Sequence, residues 1–324
     1  MTKICVIGSS GYIGSKITAL LTKKYRVITL SRQKAKINSK IFKHITGDLK
    51  SQNTIDKIVN LKPNLIIYAA SFNHFQSEKN FEKTLKNNNL PLARLCESIL
   101  KNNNFKKIIY FSTFQVYGNY QKLKVINEET EKNPMNFYGL SHSINEEYLK
   151  NFKKKFNLNY DIIRLSNAYG YPQLKSCNCW WLVINDLCKD LIYRNQIKLN
   201  SNGKAFRNFI TIDEVANFVK LLINLKHSCE IYNLVSKETI QIKGIVKKII
   251  LAEKSINRKI NYEVLIKDKK VNYNKIKIEK PKFTISDKKI KKIGFKNKID
   301  LNKGIKKLLK KIYLEKIISN GIQY

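Results

Sequence analysis

The chain has 324 residues, 43% of them hydrophobic, with 62 lysines and arginines against 24 aspartates and glutamates for a formal net charge of +38. This length and apolar content support a full core, with one large folded unit and a smaller one attached. No apolar run approaches membrane-spanning length, and Met1-Thr2-Lys3 leads straight into a strand instead of a signal peptide, so a cytoplasmic protein without membrane insertion is expected. The charge invites a nucleic-acid partner, but only seven of the basic residues are arginine and the lysines are scattered among Ile and Asn. No basic platform interleaved with aromatics appears, so compositional drift accounts for the charge better than RNA binding does. The densest run, Lys267 to Lys311, would still be sticky at low salt. Six cysteines lack paired zinc spacing, and Cys177-Asn178-Cys179 has no matching His/Cys pair, so buried reduced thiols and no metal are expected.

In chain order, apolar runs predict strands over Lys3–Ile7, Arg26–Leu30, Phe42–Ile45, Leu65–Ala69, Lys107–Ser112 and Tyr160–Leu165. Helical periodicity fills the gaps at Gly14–Lys23, Ile55–Asn60, Phe81–Asn102 and Tyr138–Phe156, with Pro91 awkward inside the third of these. A further helix, Phe209–Leu225, and strand, Ile231–Val235, read as part of the same unit. The alternation is that of an α/β protein with a doubly wound parallel sheet over 1–172, to which 207–235 return. Residues 173–206 and 236–324 then make a smaller C-terminal α/β unit for substrate. The C-terminal apolar face of Leu301, Ile305, Leu308, Leu309 and Ile312, opposed by lysines, is expected to dock on that unit rather than lie on a membrane.

The first strand runs into Gly8-Ser9-Ser10-Gly11-Tyr12-Ile13-Gly14. Gly8 suits a tight turn off the strand, Gly11 lets backbone approach a pyrophosphate, and Gly14 removes a side chain between helix and strand. The amides opening the helix would face the phosphates. After the second strand an acid would bind a ribose 2′-hydroxyl, whereas an arginine accommodates a 2′-phosphate. Ser31-Arg32 therefore favours NADP, with NAD possible. Asp48, after the third strand, is placed to accept from an adenine amine or to cap a helix.

Ser112-Thr113 ends a buried strand, and Tyr138 and His142 lie one turn apart on one helical face. A tyrosine at a nucleotide site, with a hydroxyl partner and a basic neighbour, equips it to move a proton while hydride passes to nicotinamide.

These motifs, with Gly47-Asp48-Leu49, Ala69-Ala70, Asn88, Val116-Tyr117-Gly118, Tyr138-Gly139-Leu140-Ser141, Asn167-Ala168-Tyr169-Gly170, Arg207-Asn208-Phe209 and Gly294-Phe295, occur in order along nearly the whole chain. In this the sequence resembles the extended short-chain dehydrogenase/reductases of the nucleotide-sugar epimerase/dehydratase family, which have a Rossmann fold. The resemblance implies Thr113 as hydroxyl partner, Tyr138 as acid/base and His142 holding nicotinamide ribose. It implies a cofactor site of Gly8, Ser10, Gly11, Tyr12, Ile13, Gly14, Ser31, Arg32, Asp48, Leu49, Ala69, Ala70 and Asn88, together with Tyr138 and His142. Thr113, Asn167 and Arg207 would meet the sugar nucleotide, Asn167 and Arg207 at its diphosphate, and a homodimer through two long helices is implied. Three residues depart from the family pattern. His142 replaces the lysine of Tyr-x-x-x-Lys, Phe114-Gln115 replaces the Asp-Glu of sugar 4,6-dehydratases, and Asn208 replaces an aspartate. The expected activity is a nucleotide-sugar epimerase working by transient oxidation at a sugar hydroxyl. A 4-ketoreductase is the alternative enzyme, and an NADP-sensing or RNA-binding module without turnover the alternative outside catalysis. The Asn178–Cys188 stretch resembles a bacterial subgroup linked to surface polysaccharide synthesis.

Overall fold

The computed structural model describes residues 1–33, 37, 40–225, 229–256 and 262–319. Runs of Ile, Val, Leu and Tyr at β1 (Lys3–Ile7), β2 (Arg26–Ser31), β3 (Lys43–Thr46), β4 (Leu65–Tyr68) and β5 (Lys107–Thr113) alternate with α1 (Tyr12–Leu21) and α2 (Gln52–Asn60). After β4 come α3 (His74–Lys79), α4 (Phe81–Thr84) and α5 (Leu90–Ile99). Then follow the short β6 (Val125–Ile126), α6 (Phe137–Phe156), β7 (Tyr160–Leu165) and β8 (Asn167–Tyr169). Beyond them lie α7 (Val183–Arg194), β9 (Gln196–Leu199), β10 (Phe206–Thr211), α8 (Ile212–Asn224) and β11 (Glu230–Leu234).

Seven strands form one parallel sheet in the order β11-β7-β5-β4-β1-β2-β3. Its strands are apolar on both faces because each face is covered by helices, as crossover connections require. Ile4, Val6 and Ile67 pack toward α1 and α8, whereas Cys5, Ile7, Ile66 and Tyr68 pack toward Leu92, Leu95 and Leu149 of α5 and α6. The chain winds one way from β1 to β3 and then returns to β4 beside β1. That reversal opens a crevice at the C-terminal ends of β1 and β4, where open α/β sheets bind ligands.

The remaining elements build a second apolar core. It contains Ile184, Leu187 and Leu191 of α7, Ile245 and Ile249 of α9 (Ile242–Lys254), and Leu301, Ile305, Leu308, Leu309 and Ile312 of the closing helix Leu301–Ser319. Among the described residues no helix is long and apolar enough to cross a membrane.

Two expectations from the sequence are corrected. Phe81–Asn102 is not one helix but α4, a wide π-type turn at Leu85–Asn89 and α5, with the Leu90 amide reaching back five residues to the Leu85 carbonyl. Pro91 has no amide to donate and its ring crowds the carbonyl four residues earlier, so the ladder widens ahead of it. The expected helix at Phe209 begins only at Ile212. Phe206–Thr211 instead pairs in parallel with β8 and antiparallel with Thr239–Gln241, and the Thr211 hydroxyl caps α8 by accepting from the Glu214 amide.

Candidate active site

The glycine loop leaves β1 with Gly8 at φ +81°, in the left-handed region, and a Cβ there would stand 2.8 Å from the Ala69 carbonyl oxygen. A Cβ on Gly14 would come within 2.2 Å of the Gly8 carbonyl. Glycine at both positions lets α1 and β4 close on the turn, with the first α1 amides at its edge and no acidic residue in that first turn. Beside it runs a cavity of about 200 Å³ bordered by Gly8, Ser10, Gly11, Ser31, Arg32, Asp48, Leu49, Ala69, Ala70 and Ser71. The close-packed glycine cradle and the extended groove fit a dinucleotide, with the loop at its diphosphate.

The groove gathers most of the expected cofactor residues, but not all by their side chains. Tyr12 donates its hydroxyl to the Gly170 carbonyl (2.8 Å), and Ile13 packs against the core on the α1 side of the sheet, so both side chains are committed elsewhere and neither residue borders the groove. Ser31 donates to the Gln33 carbonyl (2.7 Å), while Arg32 is exposed at the rim. Asp48 accepts from the Lys50 amide (2.9 Å) in the turn before α2, whose N-cap is Ser51, so it borders the groove without capping the helix. Asn88 lies beneath the wall, 1% exposed. Its oxygen accepts from the Phe72 amide (2.7 Å) and its nitrogen donates to Ser141 Oγ (3.0 Å), so it braces the groove from behind.

Tyr138 opens α6. Asn136 caps that helix by accepting from the Gly139 amide (2.7 Å) and is itself held by Gln115 (2.8 Å), while Glu78 of α3 accepts from the Tyr138 amide (3.3 Å). Burial pushes the Tyr138 phenol up to about 12, opposed by hydrogen bonding to the hydroxyls of Thr113 and Ser71. The structure thus brings Thr113 and Tyr138 together and adds Ser71, which sequence reasoning missed. Its only signal was a hydroxyl just past the end of β4, at the open end of the sheet.

His142 follows one turn later, with its ring against Tyr138 (centroids 4.6 Å apart). It is 2% exposed and does not border the groove. Its Nδ1 lies 2.6 Å from the Tyr110 hydroxyl, which in turn accepts from Asn145 Nδ2 at 2.9 Å. Asn145 also bonds the Asn88 carbonyl and the Asn89 side chain, both at 2.8 Å. Burial lowers His142 to about 4, opposed by the charge of Glu146, so the imidazole is neutral near pH 7. The expectation of a ribose-holding basic group therefore meets a neutral ring turned into a buried network instead. Tyr110 and Asn145 escaped sequence reasoning because each looks like ordinary strand or helix filling.

Below this network Glu146 accepts from Ser112 (2.6 Å) and pairs with Arg164 (2.7 Å), both charges being buried. Arg164 also donates to the Tyr117 hydroxyl (2.7 Å) and the Glu128 carbonyl (2.9 Å). The pair ties α6 to β5 and β7. Where an acid pair would serve elimination, Phe114 is buried against Tyr117 and Tyr120, and Gln115 bonds Asn136.

Asn167 and Arg207 stand on the paired strands β8 and β10, and neither borders the dinucleotide groove. Asn167 donates to the Asn208 carbonyl (2.9 Å), leaving its oxygen available, and Arg207 donates to the Phe206 carbonyl (2.8 Å) with no carboxylate partner among the described residues. Asn208 serves its place through both ends of its amide: Nδ2 donates to the Ser236 (2.9 Å) and Glu238 (3.1 Å) carbonyls, and Oδ1 accepts from the Ser236 amide (2.9 Å). An aspartate could not make the first two bonds. Among the described residues no cluster of His, Cys, Asp and Glu could hold a metal ion.

The whole arrangement has relatives. The chain is 27% identical over 261 residues to a dTDP-D-glucose 4,6-dehydratase of Dictyostelium discoideum, covering 72% of this chain but only 58% of that protein. It is 29% identical over 243 residues to a putative UDP-glucose 4-epimerase of Methanocaldococcus jannaschii, covering 73% and 78% of the two. In fold it is similar to a UDP-glucose 4-epimerase of Thermotoga maritima solved with UDP-glucose, at a TM-score of 0.79 and 21% identity, covering 98% of this chain and all of the other. Residues 4–234 match the NAD dependent epimerase/dehydratase family, and the chain belongs to it.

Proposed function

We propose that this protein is a nucleotide-sugar 4-epimerase. The observation that carries the reading is the pairing of Tyr138 with Thr113 and with Ser71, which borders the dinucleotide groove, with Phe114 and Gln115 where dehydratase chemistry needs acids. A bound nicotinamide dinucleotide supplies a reversible hydride acceptor. The Tyr138 phenolate takes the proton from the sugar hydroxyl and the phenol so formed returns it, Thr113 and Ser71 hold that oxygen in line, and the buried Glu146–Arg164 pair fixes the helix that carries it. Asn167 and Arg207 are proposed to receive the diphosphate, Arg207 because its guanidinium is not committed to a carboxylate.

The family gives the cofactor class as a nicotinamide dinucleotide. Within that class Arg32 and the absence of an acid at the end of β2 favour NADP, whereas the family description names NAD. A homodimer is proposed through α5 and α6, where Leu90, Phe137 and Phe156 are exposed, and sedimentation tests it.

The test of function incubates purified protein with UDP-glucose or dTDP-glucose and catalytic cofactor. Interconversion with the galactose epimer, without net change in reduced cofactor, is expected. Stoichiometric cofactor consumption on a 4-keto sugar nucleotide, without epimerisation, would replace the reading with a 4-ketoreductase. Salt-dependent RNA binding without turnover would replace it with a binding module.

A further inference from the structure

Between β8 and α7, residues 171–182 run from the diphosphate side of the groove to its tyrosine side. On the first side the Cys177 thiol donates to the Ser10 carbonyl of the glycine loop (3.3 Å). On the second side Trp181 meets Phe75 edge to face, with centroids 5.4 Å apart. Phe75 adjoins His74 at 5.7 Å, and the His74 ring stands perpendicular to Tyr138 at 6.4 Å. A continuous series of four rings thus leads from the acid/base phenol to the surface.

The outer two rings are left to water, Phe75 at 58% and Trp181 at 42% exposure. The indole is fixed, since its Nε1 donates to the Asn178 carbonyl (2.9 Å). His74 Nδ1 is buried without a hydrogen-bond partner among the described residues. Exposed aromatic rings joined to the Tyr138 ring through His74, whose Nδ1 is an unmet polar atom, match a ring that has one apolar C–H face and hydroxyls at its edge. The series contributes no lysine or arginine, and the Glu78 carboxylate lies at the Tyr138 amide on the same wall. A sugar bearing a carboxylate would meet like charge from Glu78 there.

We propose that Phe75 and Trp181 form the sugar-facing gate of this site and select a neutral hexosyl group over one carrying a carboxylate. The inference rests on the epimerase reading, and its experiment separates the two. Cofactor-loaded protein in a Trp180→Phe background, leaving Trp181 as the chain's one tryptophan, is titrated with UDP, UDP-glucose and UDP-glucuronic acid. Trp181 emission is expected to change with UDP-glucose but not with UDP. In the native-tryptophan background, Phe75→Ala and Trp181→Ala should weaken UDP-glucose about tenfold by calorimetry while UDP stays within about twofold, and Trp181→Phe should recover most of the loss. UDP-glucuronic acid should bind about tenfold or more weakly than UDP-glucose. If UDP binds but the alanine variants hold UDP-glucose as tightly as wild type, or UDP-glucuronic acid binds better than UDP-glucose, the gate is overturned and the epimerase reading stands. If wild type binds none of the three, both fall.

Discussion

The Tyr110 hydroxyl and His142 Nδ1 meet at 2.6 Å, a bond that commits the imidazole to the buried network behind Tyr138. Asn145 donates to the same hydroxyl, so the ring is held within this network rather than offered to a ligand in the groove. Burial lowers its pKa to about 4, which leaves it neutral near pH 7. In the family pattern a lysine would stand here with a permanent charge. This chain places a neutral group beside Tyr138, whose own pKa is pushed up to about 12.

The first prediction concerns the pH–rate profile. A positive charge about 4 Å from a phenol at an effective dielectric of ~20 is worth up to ~4 kcal/mol, roughly three pKa units. His142→Lys should therefore move the rising limb that reports Tyr138 deprotonation to lower pH, and His142→Gln should leave it in place, because the imidazole supplies no charge to lose. Tyr138→Phe should abolish nearly all turnover in either background. A limb that moves to higher pH in His142→Gln would mean that wild-type His142 is charged after all.

The same burial makes a stability prediction. A histidine whose folded pKa lies below its unfolded value of ~6.5 binds a proton more readily when unfolded. Stability from this site is complete above pH ~6.5 and is lost as pH falls through about 4, an effect of up to about 3 kcal/mol. Urea unfolding between pH 7 and pH 4.5 should show a shallower decline for His142→Gln than for wild type. Parallel declines would place the acid sensitivity elsewhere.

The sheet is legible in the sequence and this network is not, and the difference is one of range. Strands such as Ile4–Ile7 and Ile108–Phe111 announce themselves because burial on both faces demands uninterrupted apolar residues. The glycine loop is equally legible, since Gly8 and Gly14 answer local steric demands. The partners of His142 are not local. Tyr110 is 32 residues away and Asn88 meets Ser141 across 53, so their pairing exists only once β5, α6 and the turn before Pro91 are packed together. Thr211-Ile212-Asp213-Glu214 is different, for the threonine cap lay in plain view and Phe209 was read into the helix because apolar periodicity outweighed it.

The third prediction tests the pair beneath the site. Glu146 and Arg164 are both buried, at 0% and 2% exposure, and their charges are compensated by one another and by Ser112 and Tyr117. Replacing Glu146 leaves the Arg164 guanidinium without its counter-ion in a low dielectric, which costs about 3–5 kcal/mol, whereas the Glu146 carboxylate has a second cation in Lys132 at 3.5 Å. Glu146→Gln should lower stability by that order in chemical denaturation, and Glu146→Leu combined with Arg164→Met should cost less than Glu146→Gln alone. A loss below about 1 kcal/mol in the single variant would mean that water or a neighbouring group replaces the carboxylate.

The last prediction decides the cofactor. Arg32 borders the groove where an acid would otherwise accept from a ribose 2′-hydroxyl, and it makes no salt bridge among the described residues. A guanidinium bonded to a 2′-phosphate contributes about 1.5–3 kcal/mol, a preference of roughly tenfold to a hundredfold. Because Arg32 is exposed, salt should weaken that preference. Wild type should therefore bind NADP(H) more tightly than NAD(H) at low ionic strength, with the gap narrowing as salt is added. Arg32→Ala should lose affinity for NADP(H) selectively while NAD(H) affinity holds. Fluorescence titration of both reduced cofactors at two salt concentrations gives all four constants. Tighter NAD(H) binding by wild type at low salt would return the cofactor to NAD and make Arg32 a solvent-facing loop residue. The diphosphate cradle formed by Gly8, Gly11 and Gly14 would be untouched by that outcome, since it is common to both cofactors.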